Sequence, residues 1–479
     1  MSALMATFSS LEDLLAKIPD VEQRLAPLVE HLKASELQLR QLIDDALAGR
    51  QHVAPPFDAA GDLEFGLMLY WLQHPNPEQH RALLSDPVLS LVMQALQRFA
   101  PPSSITDPTL ASFIELAYNI GFVAADGTLY TLGKYAQLDP LWLAAVINYA
   151  INLIDPDSIY HPFPTSPCRT QIGGDKHSLN IAIVGDWGTG AYDSAYAGRG
   201  PAVAVMNAVR ELKPDYVIHL GDVYYSGTDR RIPQQEEKHN LLDYWNTGTG
   251  ANTSFAINSN HEMYGAAQGL IGVAMAYGTP FAHQNRTTYF GLEFGDWLLL
   301  GLDSAYFDPS TLYMKGALGN AQNTQQQDFV KSYGNLKDRK VFVMTHHNPM
   351  SYDGSQIVQN DSAGTSLWDG MNTALGKNPD VWYWGHLHLG VAYNEKSAVG
   401  QQGTRGRCVG HSAIPFGDAH GMNTANVDYY AHTNLGIGTK QVRNGFAMVT
   451  LGKDGTMTET FYEVDARGKC SDEWVKNSN

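Results

Sequence analysis

Five short apolar runs recur along the last two-thirds of the chain: Ile181-Ala182-Ile183-Val184, Val217-Ile218-His219-Leu220, Phe255-Ala256-Ile257, Val341-Phe342-Val343-Met344 and Val381-Trp382-Tyr383-Trp384. Each is too short for a helix and rich in β-branched or aromatic residues, so each predicts a buried strand. His219, inside such a run, is expected to belong to the core.

The first 160 residues follow a 3.6-residue period instead. Ser9-Ser10-Leu11-Glu12 fits a capping box, and Leu11, Leu14, Leu15 and Ile18 recur at helical spacing before Pro19. Leu25, Leu28, Val29 and Leu32 continue the pattern, as do Leu39, Leu42, Ile43 and Leu47 before Gly49. Further helical stretches fall near 63–72, 88–99, 110–120 and 141–154. Residues 1–160 therefore read as an all-α domain. Residues 161–178 read as a linker, because Asp155 to Ser178 carries four prolines and Gly173-Gly174. A catalytic domain over 179–465 and a C-terminal tail over 466–479 complete the division.

A polar motif follows every one of the five runs: Gly185-Asp186-Trp187-Gly188, Gly221-Asp222-Val223-Tyr224-Tyr225, Asn260-His261-Glu262, Thr345-His346 and Gly385-His386-Leu387-His388. The candidate side chains thus sit at strand carboxyl ends, the edge at which open sheets bind ligands. Residues spread over roughly 200 positions can then converge on one cleft. Singly, each motif has an ordinary structural reading, since Gly-Asp after a strand is a common turn. Gly385-His386-Leu387-His388 is more specific, because residues two apart in an extended segment face one side and could reach two neighbouring ions. Together Asp186, Asp222, Tyr225, Asn260, His346, His386 and His388 offer carboxylate, phenolate, amide oxygen and imidazole. These suit iron, zinc or manganese, and no thiolate is involved.

On these motifs the chain resembles the calcineurin-like metallophosphoesterases and, within them, the purple acid phosphatase branch. The distinguishing residues are Gly188, where most of the superfamily has histidine, and Tyr225, three positions after the second aspartate. The resemblance covers roughly 179–465, including Tyr289-Phe290-Gly291 through Asp303 as a hairpin and Gly445-Phe446-Ala447 through Tyr462 as a last pair of strands. It implies an α/β (α+β sandwich) domain of two β-sheets flanked by helices. It also implies a first ion, ferric, on Asp186, Asp222, Tyr225 and His388, with Asp222 bridging to a divalent iron, zinc or manganese on Asn260, His346 and His386. The implied chemistry is phosphoester hydrolysis by a metal-activated hydroxide, with His261 stabilising the transition state or protonating the leaving oxygen. His347, His283 and Glu262 are candidates to touch substrate or support the ligands. Ser259 departs from the family pattern, which has glycine before Asn-His.

Charge arithmetic points the same way. Two aspartates, a phenolate and a bridging hydroxide neutralise two divalent ions, whereas replacing one by a trivalent ion leaves a net charge of +1 that attracts phosphate. Free tyrosine, with a pKa of about 10, also needs a strongly acidic metal beside it to ionise.

Composition narrows the partners. The 479 residues carry a net charge of −17, and residues 1–165, with 8 basic and 19 acidic side chains, hold −11 of it. Nucleic acid and anionic membranes are therefore not expected. The expected partner is a phosphorylated small molecule, with the helical domain a candidate for homo-oligomer or protein contacts. No apolar stretch reaches the roughly 18 residues of a membrane span. Residues 1–10 lack a basic residue and a long apolar core, so no secretory signal is expected. Cys168, Cys408 and Cys470 lack metal-binding spacing. A cytoplasmic enzyme fits these features. A cyclic-nucleotide or other phosphodiesterase, a non-hydrolytic adaptor using the helical domain, and a di-iron redox enzyme are the alternatives.

Overall fold

The computed structural model describes residues 163–478, apart from 165, 192–199, 228–235, 311–312, 361–364, 466–467 and several positions between 415 and 440. It also describes an antiparallel pair joining Phe122–Val123 to Leu129–Tyr130. The helices expected in residues 1–160 lie outside the described residues. The chain divides into two compact units, and the larger, residues 159–434 with 441–479, carries all the elements labelled below.

Fourteen strands of this unit position the site: β1 Cys168–Gln171, β2 Ser178–Val184, β3 Tyr216–His219, β4 Ser254–Ala256, β5 Phe290–Phe294, β6 Trp297–Gly301, β7 Lys340–Thr345, β8 Val381–Trp384, β9 Gly390–Tyr393, β10 Arg405–Val409, β11 Val427–Tyr430, β12 Gly445–Gly452, β13 Met457–Val464 and β14 Cys470–Ser478. They form a six-stranded sheet, ordered β14-β13-β12-β2-β3-β4, and an eight-stranded sheet, ordered β11-β9-β10-β8-β7-β6-β5-β1. Parallel pairing prevails where the motifs lie: β2 with β3 and β3 with β4 in the first sheet, β6 with β7 and β7 with β8 in the second.

Side-chain alternation explains the layering. In β2, Ile181 and Ile183 face the larger apolar core, which β6, β7 and β8 of the other sheet also line. Ala182 and Val184 face a second core with helix α1, Pro201–Glu211. The fold is thus mixed α/β built on two packed sheets. The expected hairpin is β5–β6, and the expected last pair is β12–β13.

Two segments differ from expectation. The 161–178 linker contains β1, which pairs parallel with β5, and the 466–479 tail contains β14, which pairs antiparallel with β13. β11 is a third strand that no apolar run marks. Each is the edge strand of a sheet, where only one neighbour and little burial are demanded, so no apolar run marks it. A helix, Leu367–Leu375, follows β7. Ser366 caps its start by accepting from Asp369 N, and Gly376 closes it in left-handed backbone.

One buried ion pair crosses between the sheets. Arg407 of β10 donates to both oxygens of Glu459 of β13, from Nε at 2.8 Å and Nη2 at 2.9 Å. Tyr383 of β8 donates to Glu459 Oε1 at 2.8 Å, and Arg407 Nη1 donates to the carbonyls of Tyr393 and Gly406.

Candidate metal centre

The turns after β2 and β3 lie side by side because their strands are parallel neighbours. Asp186 N donates to Gly221 O (3.1 Å), Gly188 N to Asp222 O (3.0 Å), and Tyr224 N back to Gly188 O (3.0 Å). Gly188 is needed for this approach: a Cβ there would stand 2.5 Å from Val223 Cα and 2.6 Å from Asp222 O. From the other sheet, His386 N donates to Asp186 Oδ2 at 2.9 Å, so the loop after β8 closes onto the loop after β2. Ser412 clamps the same turn, its Oγ accepting from Gly185 N at 3.2 Å.

Four candidate ligands hold left-handed backbone: Asp186 at φ 55°, Asp222 at 76°, His386 at 66° and His388 at 53°. Such backbone costs a non-glycine residue about 1–3 kcal/mol and concentrates at functional sites.

Asp186, Asp222 and His388 bring one ligand atom each within 4.8 Å of one another, all buried. Oδ1 of Asp186 and Oδ1 of Asp222 meet no hydrogen-bond donor among the described residues. Burial and the facing Asp222 carboxylate push the Asp186 pKa well above the usual carboxyl range. Burial acts on Asp222 in the same sense but is outweighed by the His261 and His346 imidazoles, so its pKa is held low. Two buried carboxyls in this relation call for a proton or a cation between them.

His346 faces Asp222 from the other sheet. Its Nδ1 lies 2.9 Å from Leu220 O, an acceptor only, so Nδ1 carries the ring proton. Burial lowers its pKa to about 3, which leaves Nε2 unprotonated. That nitrogen stands 2.8 Å from Asn260 Oδ1, 3.1 Å from Asp222 Oδ1 and 3.2 Å from His386 Nδ1. The Asn260 amide is oriented by its Nδ2 donating to Tyr264 Oη at 3.0 Å. Lone pairs converge here with no donor assigned between them, the arrangement a metal ion resolves.

His347 also lies within 4.8 Å of His346 and His386, but both its nitrogens are engaged. Nδ1 is 2.8 Å from Ser304 Oγ, and Nε2 donates to Tyr313 O. It supports the cluster from behind.

A phenol that reaches the centre is that of Tyr224, the neighbour of the expected Tyr225. Tyr224 Oη stands 2.7 Å from His388 Nε2 and donates to Asp222 Oδ2 at 3.1 Å. Tyr225 is held by its backbone, its N donating to Glu236 Oε1 and its O accepting from His261 Nδ1, both at 2.9 Å. Burial, then the two aspartates, raise the Tyr224 pKa well above 10, so this phenol ionises only beside a cation.

His261 donates Nδ1–H to Tyr225 O and turns Nε2 toward Asp222 Oδ2, 3.7 Å away, with a pKa lowered by burial to about 4. Glu262 Oε2 accepts from Asp222 N at 3.2 Å and from Ser259 Oγ; burial and the Asp222 charge raise its pKa to about 8. The structure places the His283 ring edge-on against Phe255, centroids 4.6 Å apart, rather than among the ligands. His219 is buried in β3 between Trp187 and Trp245. Sequence reasoning missed Ser259 as a contributor, although Ser259-x-x-Glu262 is itself a capping-box pattern.

Residues 179–390 match the family model for calcineurin-like phosphoesterase. No curated protein matches the chain. Among solved structures, a purple acid phosphatase isolated from yellow lupin (Lupinus luteus) seeds is 14% identical, with 65% of this chain and 54% of that one covered and a TM-score of 0.42. A putative 5'-nucleotidase from Staphylococcus aureus is 13% identical, covering 63% and 54% with a TM-score of 0.29. A sulfate thiohydrolase from Thermus thermophilus is 11% identical, covering 66% and 57% with a TM-score of 0.31. The chain thus spans little more than half the length of each. With two packed sheets and the candidate metal ligands at their carboxyl ends, residues 179–390 of this chain form a calcineurin-like phosphoesterase domain.

Proposed function

We propose that this domain hydrolyses phosphoesters at a centre for two metal ions bridged by Asp222. The observation that carries the reading is how the Asp222 carboxylate is turned: Oδ1 faces His346 Nε2 at 3.1 Å, and Oδ2 faces the Tyr224 hydroxyl at 3.1 Å. Asp222 therefore belongs to both ligand sets. Asp186, His388 and Tyr224 complete an acidic set, while Asn260, His346 and His386 complete a neutral one.

The two sets differ in the ion they favour. Two carboxylates and a phenolate suit a trivalent ion, for which we propose iron(III), and the amide and imidazoles suit a divalent iron, zinc or manganese. Such a pair supplies Lewis acidity and a water of lowered pKa for in-line displacement at phosphorus.

The protein supplies orientation and proton handling. Tyr225 O fixes the His261 ring with its proton on Nδ1, so at neutral pH Nε2 accepts a hydrogen bond beside the reacting group. Donation from Nε2 to a leaving oxygen requires the imidazolium. The substrate is a phosphorylated small molecule, as monoester or diester.

Metal analysis with visible spectroscopy tests this reading. One equivalent of iron and a charge-transfer band lost in Tyr224→Phe but kept in Tyr225→Phe is the expected result. Loss of the band in Tyr225→Phe alone would return the ligand role to Tyr225. Protein that takes up no metal and turns over no phosphoester in a panel run with and without chelator would sink the proposal and favour the adaptor. Oxygen or peroxide consumption would favour the redox enzyme.

A further inference from the structure

Asn260 and His261 reach the centre from a helix of five residues, Asn260–Tyr264, too short to hold its direction by its own hydrogen bonds. Ser259 caps it from extended backbone (φ −135°, ψ 176°), with Oγ accepting from His261 N at 3.0 Å and from Glu262 N at 3.5 Å. In an ordinary capping box the glutamate at the third helical position bonds back to the backbone N–H of the cap residue. Here Glu262 does something else. Its Oε2 accepts from Ser259 Oγ and, at 3.2 Å, from the backbone N–H of Asp222. One oxygen thus joins the helix cap to the residue shared by both ligand sets. Ser259 and Glu262 are fully buried, and no room is left for a bulkier loop: a Cβ on Gly221 would stand 2.7 Å from Ser259 Cβ.

We propose that the Ser259 hydroxyl and the Glu262 carboxylate are positioning residues of the metal centre. They fasten the Asp222 loop to the helix that presents Asn260 and His261. The inference rests on the two-ion reading above and adds to it a device that a glycine at position 259 cannot provide. Without the hydroxyl, Glu262 Oε2 loses one of its two donors, and the helix cap is no longer tied to the Asp222 loop. Asn260 Oδ1 and His261 Nε2 then lose a fixed distance from Asp222.

The direct test is titration of the metal-free full chain with Mn²⁺, followed calorimetrically. Wild-type protein is expected to bind two ions. Ser259→Ala is expected to weaken one of them by about 10–100-fold, the usual cost of removing a group that orients a ligand, with the melting temperature of the metal-free protein little changed. Ser259→Gly should behave the same way and carries the test if the alanine variant does not fold. Glu262→Gln, which keeps an oxygen acceptor, should bind within a few-fold of wild type. Two-ion binding that is equally tight in wild type, Ser259→Ala and Ser259→Gly overturns this inference while leaving the two-ion reading intact. Wild-type protein that binds no Mn²⁺ overturns both.

Discussion

Among the buried carboxylates of the larger unit, Glu459 and the Asp186–Asp222 pair have been treated in opposite ways. At the Arg407–Glu459 pair, Arg407 donates to both oxygens of Glu459, and Tyr383 adds a further bond to Oε1. Around Asp186 and Asp222, one oxygen of each carboxylate meets no donor among the described residues, and four of the candidate ligands sit in strained backbone. The first cluster is complete as protein. The second is complete only with something added, and that difference separates a structural polar cluster from a binding site more reliably than burial or charge alone.

The largest expected effect lies on the structural side. Glu459→Gln or Arg407→Met leaves one buried charge uncompensated and should destabilise the domain by about 3–5 kcal/mol, read from the urea midpoint. An apolar replacement of both partners should recover most of that loss. A double variant as unstable as the sum of its parts would show that the pair is not one unit.

Adding and removing metal should act on the other cluster. At free metal about 100-fold above its dissociation constant, the protein should gain about 2.7 kcal/mol over the chelated form, visible as a rise in melting temperature. No shift on loading would mean that the ions bind the folded and unfolded chain alike.

Asp222→Asn should divide the two properties. Activity should fall at least about 100-fold, the scale of losing one oriented electrostatic group. The metal-free protein, relieved of a charge facing Asp186, should become more stable by on the order of 1 kcal/mol, roughly one pKa unit's worth. A metal-free variant less stable than wild type would show that Asp222 is structural, as Glu459 is.

The last effect appears only as pH falls and concerns a buried group outside both clusters. Neither ring nitrogen of His411 meets a hydrogen-bond partner among the described residues, and burial lowers its pKa to about 3. The folded value lies below the unfolded value of about 6.5, so folding excludes a proton. The stability this group contributes is present above about pH 6.5 and is lost as pH falls toward 3. His411→Gln should flatten that slope by up to one proton, about 1.4 kcal/mol per pH unit. An unchanged slope in urea titrations would remove His411 from the account.

What could be read from the sequence followed burial. The five strands that precede the motifs are buried in the structure and announced themselves as apolar runs. The missed strands, β1, β11 and β14, are edges of their sheets, where Cys168-Arg169-Thr170-Gln171 or Cys470-Ser471-Asp472-Glu473 satisfies a pairing that asks for no apolar pattern. Within the site, motif order placed Asp186, Asp222, Asn260, His346, His386 and His388 on converging loops. The approach of the Tyr224 hydroxyl to Asp222 was not legible, because it depends on how Tyr224 N and Gly188 O meet across two turns. Ser259 was noticed only as a departure. Its consequence required seeing Glu262 leave its own helix for the Asp222 loop.

The neighbours of β2 carry a consequence for how the site comes into being during synthesis. On one side lies β3, made soon after it; on the other lies β12, whose Thr450 reaches Asn180 across 270 positions of chain. A growing chain released only as far as His388 has every candidate ligand outside the ribosome, yet β2 still lacks one of its two partners, and Gly185 lacks Ser412. On the proposed two-ion reading the ions are acquired after the chain has passed β12, and truncation after Leu389 but before β12 should abolish metal retention without deleting a single candidate ligand.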